Sequence, residues 1–236
     1  RQGKGTCVGA LAPGVRAKIL AITAEAIATL DGAHELPQGE IGEIIVSGPC
    51  VTRAYDEAHS ERARESNGKA KIADVLVPTG FWHRMGDCGY FDEQGRLWFC
   101  GRKAHRVETV HGTLHSVPVE AVAEEGPGPF SRAAFVGLGP RGRQVGVIIF
   151  EVDVDGPRPR LASDWEATTV AFLRQRLGNE GVHAALLHSG PLPVDRRHNA
   201  KLEREALALW AARQRPELAA GDLEFRLRAR KEGLET

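Results

Sequence analysis

Up to Arg102 the apolar residues fall in short alternating runs broken by Gly and Pro, the pattern of a glycine-rich β-domain. Residues 17–22 read as a strand and Asp31-Gly32 as a turn. A Pro/Gly turn at 36–42 then introduces a strand with Ile44 and Val46 on one face. Residues 60–71 are strongly charged and contain Asn67-Gly68, so they read as an exposed loop or short helix. Val75-Leu76-Val77 reads as an edge strand leading into the longest patterned stretch, 81–112. In it Tyr90 and Phe91 end one strand, and Asp92-Glu93-Gln94-Gly95 has the chemistry of a tight turn, with Gly95 free to take a positive φ. Leu97, Trp98, Phe99 and Cys100 form the return strand. Met85-Gly86-Asp87 precedes this hairpin and Gly101-Arg102 follows it. Folding therefore brings a carboxylate and a guanidinium to the hairpin's two ends.

Beyond Arg102 the pattern becomes that of an α+β unit. Residues 107–114 read as a strand pair turning at Gly112, and residues 116–122 as a helix start with Pro118 near the first turn. Residues 133–138 and 145–152 are β-rich runs of buried character. Ser163-x-x-Glu166 reads as a capping box opening a helix on which Val170, Leu173 and Leu177 recur, with Gly178 at its C-terminal cap. A strand at 184–187 follows. The last helix begins near Lys201, with Leu202, Ala206, Leu209 and Trp210 on one face, and 223–231 is a basic, alternating tail.

Charge narrows the function classes. Lys plus Arg and Asp plus Glu both number 31, so bulk charge points neither to nucleic acid nor to an anionic membrane. No apolar run approaches the roughly 20 residues of a membrane span. Cys7, Cys50, Cys88 and Cys100 make no Cys-x-x-Cys pair and no metal-ligand spacing, and read as buried, reduced thiols of a cytoplasmic protein. Nor do His83, His105, His111, His115 and His198 have a zinc spacing, so no metal site is expected.

The ordered string Gly86-Asp87-x-Gly89-Tyr90-x-Asp92-x-x-Gly95, followed by Gly101-Arg102, resembles the signature of the adenylate-forming superfamily, which contains acyl-CoA synthetases and peptide-synthetase adenylation domains. Leu36-Pro37-x-Gly39-Glu40-x-Gly42-Glu43, Gly112, Pro118-x-Glu120 and Pro193 through Lys201 resemble further steps of that pattern. Taken singly, Asp87 is a turn aspartate, Arg102 a surface arginine and Lys201 a solvated lysine at a helix start. The resemblance implies more: Asp87 holding the ribose hydroxyls of ATP or AMP, Arg102 assisting there, and Lys201 stabilising charge on the carboxylate and α-phosphate during adenylation. His83, Gly112 and His198 are further pocket candidates.

The resemblance also implies an α+β architecture in two parts. Residues 1–101 would be a β-barrel-like subdomain from the end of a large N-terminal adenylation domain. Residues 102–236 would be a small mobile lid, with a hinge near 102–105. The family's phosphate loop and its magnesium-binding glutamate find no match, so the chain reads as the C-terminal portion of a larger ligase, inactive alone. Three runs, 83–87, 98–107 and 197–201, most resemble the branch forming β-lactones in bacterial long-chain olefin biosynthesis. This implies a 2-alkyl-3-hydroxy fatty acid and ATP with Mg2+ as reactants, and other enzymes of that pathway as partners. Ala104, two positions after Arg102, stands where Asp or Lys is usual, Ala200 stands where Gly is usual, and the spacing from Arg102 to Gly112 is one residue longer than usual. These departures leave CoA use open, and with it an acyl-CoA synthetase reading. A non-catalytic fragment that binds nucleotide or a partner is the reading from a different class.

Overall fold

The computed structural model describes residues 3–54, 68–130, 132–153, 160–195 and 201–219. The chain divides into two compact units. One is Lys4–Ala104, and the other is His105–Thr236 together with Arg1–Gly3. The break lies at 104/105, beside the 101/102 boundary expected from the sequence.

The first unit is one six-stranded antiparallel sheet. Its strands are β1 (Thr6–Gly9), β2 (Arg16–Leu20), β3 (Gly42–Ser47), β4 (Lys71–Ala73), β5 (Phe81–Phe91) and β6 (Leu97–Arg102). The order is β1-β6-β5-β3-β2, with β4 also paired to β5. β5 is the organising strand. One of its edges carries β3, while the other carries β6 at 87–91 and β4 at 81–83. Leu20, Ile45, Ile72, Val77 and Trp82 form the core.

Three expectations fail here for physical reasons. Cys7 and Cys50 are exposed, not buried, because Cys7 lies on the edge strand β1 and Cys50 in the turn after β3, while Cys88 and Cys100 are buried. Val75-Leu76-Val77 is not a strand but a turn, and the strand lies just before it, as β4. Asp74 closes that turn: its carboxylate accepts the Leu76 N–H at 2.8 Å and the Trp82 indole N–H at 2.7 Å, leaving Val75 and Leu76 exposed. β3 is buried on both faces, since Ile45 and Glu43 on the face opposite Ile44 are as enclosed as Ile44 itself.

The second unit begins with the hairpin β7 (Val107–Thr109) and β8 (Gly112–Leu114), whose turn is Val110-His111, with Gly112 opening β8. Helix α1 (Ser116–Ala123) follows, then β9 (Ala133–Leu138), β10 (Val145–Val152), α2 (Trp165–Leu177), β11 (Val182–Ser189) and α3 (Arg204–Gln214). β9 and β10 are antiparallel, and β10 and β11 are parallel. The parallel pair requires a crossover, and α2 supplies it. Alternation along these strands covers both faces of the sheet. Phe135, Ile148 and Phe150 pack with residues of α1 and α2, and Val136, Val147 and Ile149 pack with Leu207 and Ala211 of α3.

Helix ends also differ from expectation. α2 starts one residue later than a capping box at Ser163 requires, with Asp164 at the N-cap and no side-chain cap bond. Its other end is as expected, with Gly178 left-handed at φ 60°. α3 starts at Arg204 and buries Leu207, Ala211 and Ala212. Ala206 is exposed, because the sheet face that α3 covers selects the 207/211 stripe. The tail at 223–231 and most of the charged run at 60–71 lie outside the described residues.

Candidate functional site

The first anchor sits where β5 and β6 meet. Asp87 and Arg102 are register partners, and Arg102 Nη1 lies 3.2 Å from the Asp87 carboxylate and donates to the Met85 carbonyl at 3.0 Å. Asp87 lies inside β5, not ahead of the hairpin. Two irregularities place it there. β5 bulges around Gly86 (φ 72°), where four steps from Arg84 to Cys88 face two steps from Ile45 to Glu43 on β3. β6 bulges around Gly101 (φ 118°), next to Arg102. Bulges rotate the side chains that follow them and recur beside active sites. The Asp87 side chain is 16% exposed and that of Arg102 is 45% exposed, so the pair is open on the guanidinium side.

The hairpin turn beyond this pair is rigid. Asp92 accepts from the Gln94 and Arg96 backbone N–H groups at 3.0 and 2.9 Å, from Arg96 Nε at 2.7 Å and from the Trp98 indole at 2.8 Å. Desolvation works against its charge, but these bonds from Trp98 and Arg96 hold the carboxyl at about 2.

Beneath the pair lies a charged group that sequence reasoning missed. Glu43 of β3 is buried. It accepts Arg84 Nη2 at 2.7 Å, and both its oxygens accept Lys103 Nζ at 2.9 Å. Arg84 also donates to the Glu25 and Thr23 carbonyls, each at 2.7 Å. Arg84 is two residues before Gly86, and Lys103 directly follows Arg102. The buried carboxylate thus ties down both chain segments that carry the Asp87–Arg102 pair. A glutamate flanked by Gly42 and Ile44 in a strand pattern gave the available signal, since a charge inside an apolar run needs a partner.

His83 lies earlier on β5, paired with Lys71 of β4 and Val46 of β3. Its Nδ1 is 3.2 Å from both Lys71 Nζ and the Ala70 carbonyl. Burial, then the Lys71 charge, lowers its pKa.

The other candidates belong to the second unit. Gly112 opens β8 at φ 107°, where its carbonyl accepts the Thr109 hydroxyl at 2.8 Å, and Thr109 Oγ1 accepts the His111 N–H at 3.0 Å. Asn179, just past α2, donates to the His111 carbonyl at 2.9 Å, so this tip is held from two sides. Lys201 is exposed. Its carbonyl accepts the Asp195 N–H at 2.8 Å, and Val194 and Leu202 form a bridge that closes the loop between them. His198 lies in that loop, outside the described residues. Asp87 and Arg102 thus fall in one unit, and Lys201 and Gly112 in the other. Among the described residues no group of three or more His, Cys, Asp or Glu side chains could hold a metal ion. Among them, too, no helix is long and apolar enough to cross a membrane.

No protein-family model matches this chain. Curated proteins do. The olefin β-lactone synthetase of Xanthomonas campestris pv. campestris is 42% identical over 224 residues, which are 90% of this chain and 37% of that protein. That of Stenotrophomonas maltophilia is 41% identical over 213 residues, 89% of this chain and again 37% of the relative. The amide bond synthetase McbA from Marinactinospora thermotolerans shares the fold with a TM-score of 0.64 and 25% identity, over 87% of this chain and 36% of that structure. The chain belongs to the adenylate-forming superfamily.

ATP-bound MatB from Rhodopseudomonas palustris has the same fold, with a TM-score of 0.63 at 21% identity over 86% of this chain and 35% of that structure. The chain spans little more than a third of the length of the adenylate-forming relatives it matches. Its α+β architecture is that of these enzymes.

Proposed function

We propose that this chain is the C-terminal portion of an ATP-dependent adenylate-forming ligase that turns a 2-alkyl-3-hydroxy fatty acid into a β-lactone, AMP and diphosphate. The observation that carries this reading is the 42% identity to an olefin β-lactone synthetase over 90% of the chain. Residues 1–101 complete the adenylation domain, and 102–236 form a lid moving about a hinge near 102–105.

The Asp87 carboxylate offers two acceptor oxygens, the chemistry that paired ribose hydroxyls require. Arg102 steadies that carboxylate and offers further donors towards solvent. In the first step a carboxylate oxygen of the fatty acid attacks the α-phosphorus of ATP, and pyrophosphate leaves with the bonding electrons. Lys201 stabilises the charge that develops there, a task suited to a compact ammonium. In the second step the substrate's own 3-hydroxyl attacks the activated carbonyl, loses its proton and expels AMP. The nucleophile is already tethered near the carbonyl, so ring closure needs no second substrate. Magnesium would be held by residues outside this chain. The enzyme would work in the cytoplasm alongside other olefin-pathway enzymes.

Acid-dependent ATP–pyrophosphate exchange by the full-length enzyme tests the first step. Asp87→Asn is expected to raise the KM for ATP about tenfold or more, the scale of a lost hydrogen bond to a charged group. An unchanged KM would remove Asp87 from the nucleotide site. Exchange by this chain alone, above background, would overturn the reading of it as an inactive portion.

A further inference from the structure

Lys201 projects from a segment whose stiffness has an identifiable source three residues further on. Arg204 opens α3 and reaches Glu120 of α1. Its Nη1 bonds Glu120 Oε1 and its Nη2 bonds Oε2 at 3.1 Å, so the two planes meet as a fork. The same Nη1 donates to the Phe135 carbonyl at 3.1 Å, and the Phe135 N–H donates to Glu120 Oε1 at 2.7 Å. Both side chains are nearly enclosed, 13% and 12% exposed. Helix α1, strand β9 and the start of α3 are joined at one point. Between that point and Lys201 the backbone is also held, because the Glu203 N–H donates to the Pro193 carbonyl at 2.9 Å.

Resting on the reading of Lys201 as the adenylation lysine, we propose that Arg204 and Glu120 are positioning residues that fix the backbone from which Lys201 reaches the reacting carboxylate and α-phosphate. Three residues span at most about 10 Å of chain, so a shift at Arg204 passes to Lys201 with little slack. A mispositioned catalytic group costs up to about 10²-fold per 1 Å. Both side chains are nearly enclosed and bonded to each other and to the Phe135 backbone, so their proposed role involves no contact with substrate. The effect of changing either must therefore pass through Lys201, and a merely structural ion pair has no such requirement.

The test uses the full-length enzyme and two single-turnover assays: acyl-adenylate formation from the hydroxy acid and ATP, and consumption of chemically prepared acyl-adenylate. Arg204→Lys keeps the charge but loses the fork. Glu120→Gln keeps the shape and loses the charge. Each is expected to slow adenylate formation about tenfold or more while consumption stays within about twofold, since the loss is one of positioning in the first step only. In a Lys201→Ala background the same changes are expected to cost nothing further. Equal losses in both assays, or losses that multiply with Lys201→Ala, would overturn the positioning role while leaving Lys201 in place. If Lys201→Ala alone leaves adenylate formation at the wild-type rate, the assignment of Lys201 itself fails, and the inference falls with it.

Discussion

Glu43 illustrates how one residue can hold a site it does not line. Its side chain is 2% exposed and that of Arg84 4%, so removing the charge strands a guanidinium in the interior. Glu43→Gln is expected to destabilise the protein by about 3 kcal/mol, the usual cost of breaking a buried ion pair from one side, as read from the shift in its urea unfolding midpoint. His115 makes a second prediction at this scale. It is buried at the start of α1, and its Nδ1 finds no hydrogen-bond partner among the described residues. Burial, then the Arg106 charge, lowers its pKa from 6.5 to about 4. Above 6.5 both folded and unfolded forms are neutral. Between 6.5 and about 4 only the unfolded chain takes up the proton, so stability falls as pH falls through that window. Unfolding free energies measured across it should lose part of their acid slope in His115→Leu. An unchanged slope would show that the buried imidazole does not set it.

At the scale of elements, the bulges in β5 and β6 set the register in which Asp87 and Arg102 stand opposite one another. A Cβ at Gly86 would meet nothing within 4 Å, so Gly86→Ala pays only for its positive φ. It should cost about 1–2 kcal/mol and raise the KM for ATP as the bulge relaxes. Gly89→Ala is expected to cost more, because its Cβ would lie 2.2 Å from the Trp98 carbonyl oxygen. Thermal unfolding of the two variants side by side checks the order. The hairpin itself was legible in sequence, since Asp92 to Gly95 carry turn chemistry between apolar runs. So were β9, β10 and the Gly178 cap. The bulges were not, because a glycine in a strand marks a bulge only once the register of its neighbours is known. Val75 to Val77 misled because their apolar run suits a strand, while the Asp74 side chain closes a turn there. The last helix's stripe was legible in part: Leu202 and Trp210 pack against the core of the second unit, while Ala206 is exposed and Leu207 and Ala211 are buried, because only the sheet beneath a helix selects which residues it buries.

At the scale of the whole molecule, the candidate residues fall in different units, with the Asp87–Arg102 pair in one and Lys201 in the other. The motif residues were legible only as members of an ordered string at fixed spacing, since taken singly Asp87, Arg102 and Lys201 read as a turn aspartate, a surface arginine and a solvated lysine. The groups that hold them, Glu43 with Lys103 and Glu120 with Arg204, lie 60 and 84 residues apart in sequence, and no local pattern pairs them. Closure of the adenylate on its own 3-hydroxyl is decided by the product. It is tested most directly by incubating the full-length enzyme with ATP, magnesium and a long-chain 2-alkyl-3-hydroxy acid, with and without CoA, and following the acid by mass spectrometry and NMR. The expected result is AMP and a product lighter by one water, formed without CoA and carrying the β-lactone ring. A thioester that forms only when CoA is present would contradict it and make the enzyme an acyl-CoA synthetase.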